Sequence, residues 1–149
     1  MPCVKVRVRG LRPQFRKSKY AENRRQLATW RELIASECLK TRDSLPKTTA
    51  NQLESAKPPF KVTLTFHIPG FVECCGVVPF VGGGCDLDNL AKPVLDTIFQ
   101  VIYRKDADWS PPPTGVLSKC NDATVRDLRL IKEPVGDELA AGVDILLEW

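Results

Sequence analysis

Apolar and polar residues alternate twice along this chain with the period of a β-strand. Val4, Val6 and Val8 are interleaved with Lys5, Arg7 and Arg9. Phe60, Val62, Leu64, Phe66 and Ile68 are interleaved with Lys61, Thr63, Thr65 and His67, and Pro69-Gly70 closes the run. A period of two places one set of side chains on each face of a sheet, so both segments predict strands with one buried face. Between them, Leu27, Trp30, Ile34 and Cys38 recur at helical spacing and predict a helix over residues 21–39. Arg24, Arg25, Arg31 and Glu32 are read as lying off that stripe. Residues 41–59 are polar and bounded by proline, which predicts a long loop with at most a turn of helix.

A second helix is predicted from Leu90, Val94, Leu95, Ile98, Phe99 and Ile102. Pro93 has no N–H to give, so it is expected in the first turn, with residues 86–89 forming the turn before it and Asp88 or Asn89 as the cap. Residues 104–120 carry three consecutive prolines and read as a loop. Residues 124–132 and 143–149 read as two closing strands, expected to form a hairpin. The expected order is β-α-β-α-β-β. The fold class is α+β (mixed α/β): a small mixed sheet of about four strands packed with two main helices, in a single domain over residues 1–149.

Composition narrows the function classes. No apolar run approaches the roughly 20 residues that span a bilayer, and the first ten residues are charged where a secretory leader is apolar. The expected setting is cytoplasmic, with no membrane partner. The six cysteines include no CxxC pair, and His67 is the single histidine, so no zinc site is expected and the thiols are read as reduced. The formal charge of +4 is unevenly spread: residues 1–42 sum to +9 and residues 43–149 to −5. A basic front suits a polyanion and an acidic back suits a cation. The arginines of the front, Arg7, Arg9, Arg24 and Arg25 among them, form the candidate track for a nucleic-acid backbone.

The segment richest in chemistry is Asp86-Leu87-Asp88-Asn89-Leu90-Ala91-Lys92-Pro93-Val94-Leu95-Asp96. Two carboxylates two residues apart in a turn can face one point. Hard oxygen donors of this kind suit Mg2+, which keeps several of its waters. Lys92 adds a positive charge next to that point, and together these are the parts of metal-assisted phosphodiester hydrolysis. An EF-hand is excluded: with Asp86 as its first ligand, the places that require a ligand, Gly and Glu hold Leu90, Ala91 and Thr97. Asp96 is read as a structural partner of the helix.

This segment resembles the signature of the RusA family of Holliday-junction resolvases. Asn121-Asp122-Ala123-Thr124-Val125, followed by LRLIK, is similar to a later acidic block of that family, and His67-Ile68-Pro69 to the segment before its acidic loop. The similarity covers about residues 60–135. It implies Mg2+, with Mn2+ as a substitute, on Asp86, Asp88 and Asp122, and Lys92 as a catalytic lysine beside the scissile phosphate. It implies a homodimer that nicks four-way junction DNA in pairs during recombination and repair, of bacterial or phage origin. Asn121 replaces one acidic residue of the later block, and the loop before Asp86 is apolar where the family carries basic residues. Asp106 or Asp108 is an alternative third ligand. Two other readings stay open: a non-catalytic DNA-binding protein of the same fold, and a nuclease on another branched or single-stranded nucleic acid.

Overall fold

The computed structural model describes residues 2–14, 21–69, 87–99 and 122–149, with residues 21–23 and 122 described by backbone alone. Four strands form one mixed sheet: β1 (Cys3–Arg9), β2 (Phe60–Pro69), β3 (Val125–Val135) and β4 (Gly142–Glu148). Among the described residues three helices accompany them: α1 (Ala21–Asp43), α2 (Lys47–Glu54) and α3 (Leu87–Ile98). A single 3-10 turn, Asp122–Thr124, leads into β3. The α+β class and the order of the main elements are those expected from the pattern.

The alternations set the faces. Val4, Val6 and Val8 of β1, all five apolar positions of β2, and Val143, Ile145 and Leu147 of β4 are buried in one core. α1 packs over β1 and against α3, and α3 also meets β3, so the described helices cover one side of the sheet. Lys5, Arg7, Lys61 and Asp144 stand on the other side, where Lys5, Arg7 and Lys61 are exposed and Asp144 is half-buried. Phe99, just after α3, meets Phe60 at the start of β2 with ring centroids 6.0 Å apart. This fixes the end of α3 against the start of β2.

The strand order is β1-β4-β2-β3, so the two closing strands do not form the expected hairpin. β4 lies antiparallel between β1 and β2, whereas β3 runs parallel to β2 on the far side. Burial explains the exchange. β4 has a clean inward row and fits the interior of the sheet, while none of the residues of β3 is fully buried. A strand carrying Arg126, Asp127, Arg129, Lys132 and Glu133 costs least at an edge. The connection over residues 136–141 therefore crosses the end of β2. Gly142 makes the tight return: a Cβ there would collide with the Val8 carbonyl oxygen, so only glycine lets β4 close against β1.

Three further positions differ from expectation. Residues 47–54 make two turns of helix instead of at most one. Arg31 is 3% exposed, because it falls four residues after Leu27 and so on the buried stripe of α1. α3 begins at Leu87, which puts Pro93 inside the helix and Asp88 in its first turn. No described helix is long and apolar enough to cross a membrane.

Candidate functional site

α3 carries the chemistry of its segment on one face. Residues four apart stack above one another on a helix, so Asp88, Lys92 and Asp96 form a column. Burial deepens along it: Asp88 is exposed, Lys92 half-buried and Asp96 fully buried. The Lys92 ammonium lies 2.9 Å from Asp96 Oδ1. A carboxylate taken fully out of water needs a nearby cation, so Asp96 holds that ammonium at a defined place one turn from Asp88. The expected structural role of Asp96 thus has a definite object.

Next to this column the helix is irregular by composition. Pro93 cannot donate to the Asn89 carbonyl, so one helical hydrogen bond is missing within a turn of Asp88. Thr97 donates its hydroxyl to the Pro93 carbonyl at 2.7 Å inside the core. Proline is tolerated there because α3 is fixed by burial, with Leu90, Ala91, Val94, Leu95 and Ile98 all in the core.

Asp86, Asn121, Asp106 and Asp108 lie outside the described residues, and Asp122 is described by backbone alone. Among the described residues no group of three or more His, Cys, Asp or Glu is arranged to hold a metal ion. Asp88 by itself is a hard oxygen donor open to solvent at the positive end of a helix, which suits a hydrated divalent cation only when further carboxylates join it.

The basic residues divide between two faces. Arg24 and Arg25 are exposed on α1. Arg7 and Arg9 point from the opposite side of the sheet, and Arg9 is engaged by Asp144 at 2.8 Å and by the Val8 carbonyl at 2.9 Å. Arg25 shares an open pocket of about 420 Å³ with Arg12, Gln14, Gln26 and Trp30. Arg12 donates to the Pro69 carbonyl at 2.8 Å, which ties this pocket to the end of β2. Of the front-half arginines, Arg12 was not distinguishable by sequence, because its anchor is 57 residues away.

A second polar cluster went unseen in the sequence. On the face of the sheet opposite the core His67 donates from Nε2 to Asp144 Oδ2 at 3.0 Å, and its Nδ1 lies 3.6 Å from Glu133. Burial pushes the Asp144 carboxyl up, but the bonds and charges of Arg9 and His67 outweigh it and hold the carboxyl below its ordinary value. A depressed carboxyl stabilises the fold above its unfolded pKa and loses that contribution as pH falls through the folded value. Stability is therefore expected to decline below about pH 4, and Asp144→Asn should flatten that decline in thermal melts taken across the acid range. An acid limb equally steep in the variant would place the sensitive group elsewhere.

The described thiols behave as small residues. Cys38 is buried in α1, and burial pushes its thiol up to about 12, with Glu37 adding to the effect; Cys3 is exposed. Cys74, Cys75, Cys85 and Cys120 lie outside the described residues. No protein-family model matches the chain, and no curated protein matches it.

Proposed function

We propose that the chain is a Mg2+-dependent endonuclease acting on four-way DNA junctions, a RusA-type resolvase with α3 as its catalytic helix. The observation that carries the reading is the column on α3: an exposed carboxylate, then a lysine whose ammonium is held 2.9 Å from a fully buried aspartate. The resemblance of DLDNLAKPVLD and NDATV to that family supplies the substrate.

In this reading Asp88 would hold the cation together with Asp86 and Asp122, with Asp106 or Asp108 as the alternative to Asp122. A bound Mg2+ supplies a nucleophilic hydroxide near neutral pH and screens the phosphate. The chain's own part is electrostatic. Lys92, positioned by Asp96, neutralises charge that grows on the phosphate oxygens in the transition state. Its side chain is only partly exposed, so the charge acts where water screens it less than on an open surface. The exposed arginines of α1 guide the backbone of the DNA, and the protein works as a homodimer in the bacterial or phage-infected cytoplasm.

The test is cleavage of end-labelled four-way junction, linear duplex and single-stranded DNA, with Mg2+, with Mn2+ and with chelator. Paired nicks confined to the junction and dependent on the metal are expected. Binding without cutting under every metal condition would instead support a DNA-binding protein, and equal cutting of single strands a nuclease of broader substrate.

The backbone track has its own test. Arg24→Glu with Arg25→Glu should weaken binding to all DNA forms together. It should also lower the log–log salt dependence of affinity by about 0.9 for each phosphate that the helix no longer neutralises. Because Arg9 is bound to Asp144, Arg9→Gln should change this slope less than the α1 pair. An unchanged affinity after the α1 reversal would remove that helix from the interface.

A further inference from the structure

Three separate parts of the chain meet around the pocket of about 420 Å³ beside α1. The turn after β1 brings Arg12 and Gln14, α1 brings Arg25, Gln26 and Trp30, and the connection between β3 and β4 brings Glu138. Gly10 makes the turn with a φ of +98°, in the left-handed region that favours glycine. Its N–H is bound to the Ala141 carbonyl at 2.9 Å, and Arg12 to the Pro69 carbonyl at 2.8 Å, so this wall is held at two points. The volume falls within the roughly 300–1,000 Å³ of small-molecule sites.

The pocket offers more donors than it uses. Arg12 spends one N–H on Pro69, and among the described residues neither Arg12 nor Arg25 forms an ion pair. Trp30 lines the same pocket and is 0% exposed, yet its indole Nε1 has no hydrogen-bond partner. Buried N–H groups are nearly always paired, so an unpaired one in a pocket wall marks a place for an acceptor. Two guanidinium groups offer planar forks that match the oxygens of an oxyanion. A phosphate monoester carries close to two charges near neutral pH, where a diester carries one, so it answers both arginines better. Glu138 makes the opposite demand, because a carboxylate only accepts and suits hydroxyl or amino groups.

We propose that this pocket binds a phosphate monoester of nucleotide size, with Arg12 and Arg25 on the phosphate and Glu138 on the hydroxyl or amino groups of the remainder. A free nucleoside monophosphate and the phosphorylated end of a DNA strand offer the same chemistry. The pocket's donors are independent of the column on α3, and its occupancy is read without cleavage.

Isothermal titration calorimetry of the whole chain with thymidine 5′-monophosphate and with thymidine tests it. The monophosphate should bind saturably, and thymidine at least about tenfold more weakly, since it forms no charge-assisted bonds with the arginines. Arg25→Gln, exposed on α1, should weaken the monophosphate by at least about tenfold, and Arg12→Gln likewise, with circular dichroism melts to confirm that each variant folds. In 1H–15N spectra the Trp30 indole N–H, assigned by its loss in Trp30→Phe, should shift as the pocket fills. A short single strand with a 5′-phosphate and its unphosphorylated twin then compete for the pocket. Displacement of the mononucleotide by the phosphorylated strand alone assigns the pocket to strand ends, and displacement by neither assigns it to free nucleotides. Equal displacement by both overturns the monoester proposal. So does the absence of saturable binding, thymidine binding as tightly as its monophosphate, an unmoved Trp30 indole at saturation, or indifference to both arginine variants.

Discussion

Asp88→Asn protein is expected to bind a four-way junction within a few-fold of wild type and to cleave it at least ~10²-fold more slowly. Asp88 is exposed in the first turn of α3 and makes no contribution to the core, so the fold should survive the change. The cost in stability should stay below about 1 kcal/mol, the scale of a single carboxylate at a helix N-terminus. In the proposed reading, binding is governed by phosphates neutralised elsewhere, at the exposed Arg24 and Arg25 of α1. Removing a carboxylate also eases its repulsion of the phosphates when no metal is bound, so affinity measured in chelator should hold or rise. The loss is therefore one of rate and not of affinity, the mark of an interaction made in the transition state. Electrophoretic mobility shifts in chelator and single-turnover cleavage in Mg2+ separate the two quantities. Cleavage at the wild-type rate by folded Asp88→Asn protein would end the nuclease assignment for this helix.

Lys92→Ala should behave differently, because it acts on the fold as well as on the chemistry. It removes the ammonium 2.9 Å from a carboxylate that is fully buried. Breaking a buried pair from one side costs about 3 kcal/mol, mostly the penalty of the charge left behind. Urea denaturation should show that loss. Changing both partners to apolar residues of similar length, Lys92→Met with Asp96→Leu, should recover most of it, because no buried charge remains. The double variant should fold and bind DNA yet cleave no better than Lys92→Ala. Lys92→Arg keeps the charge but spreads it over a planar fork, so it should retain stability and lose part of the rate. If Lys92→Ala proves as stable as wild type, the pair does not hold Asp96 in the folded protein. If the double variant cleaves normally, Lys92 has no part in the reaction.

Much of this fold is legible in the residue pattern alone. Strict alternation in β1 and β2 decides which residues face inward, and those residues are the ones buried. The stripe Leu27, Trp30, Ile34, Cys38 places α1 against the core. Periodicity says nothing, however, about which strand lies next to which. The β3 and β4 segments both look like strands, and only the competition for interior places puts β4 between β1 and β2. Pro93 misleads in a similar way: the intrinsic cost of proline in a helix is real, but α3 offsets it with a row of buried side chains.

At the candidate site, residue spacing makes the column legible, since Asp88, Lys92 and Asp96 are four apart. What spacing could not supply is the burial gradient along it. Asp144 was invisible for another reason. In VDILLE it is an ordinary outward polar position, and it acquires meaning only beside His67, 77 residues earlier. Arg31 shows the converse: a charge that sequence habit assigns to solvent is packed away because its helical phase leaves it no other place.

The insertion of β4 between β1 and β2 also dictates an order of events during synthesis. β1 is made first and β4 last of the four strands, yet among the described residues β1 pairs only with β4. Until residues 142–148 have emerged, β1 and the inner edge of β2 expose unsatisfied backbone and the apolar rows Val4, Val6, Val8 and Phe60 to Ile68. The nascent chain thus carries two open templates for wrong pairing, and this sheet can be completed only once residues 142–148 have been translated. Chains that stop before Gly142 are therefore expected to be less soluble than the chain through Glu148, which a comparison of their soluble fractions on expression checks.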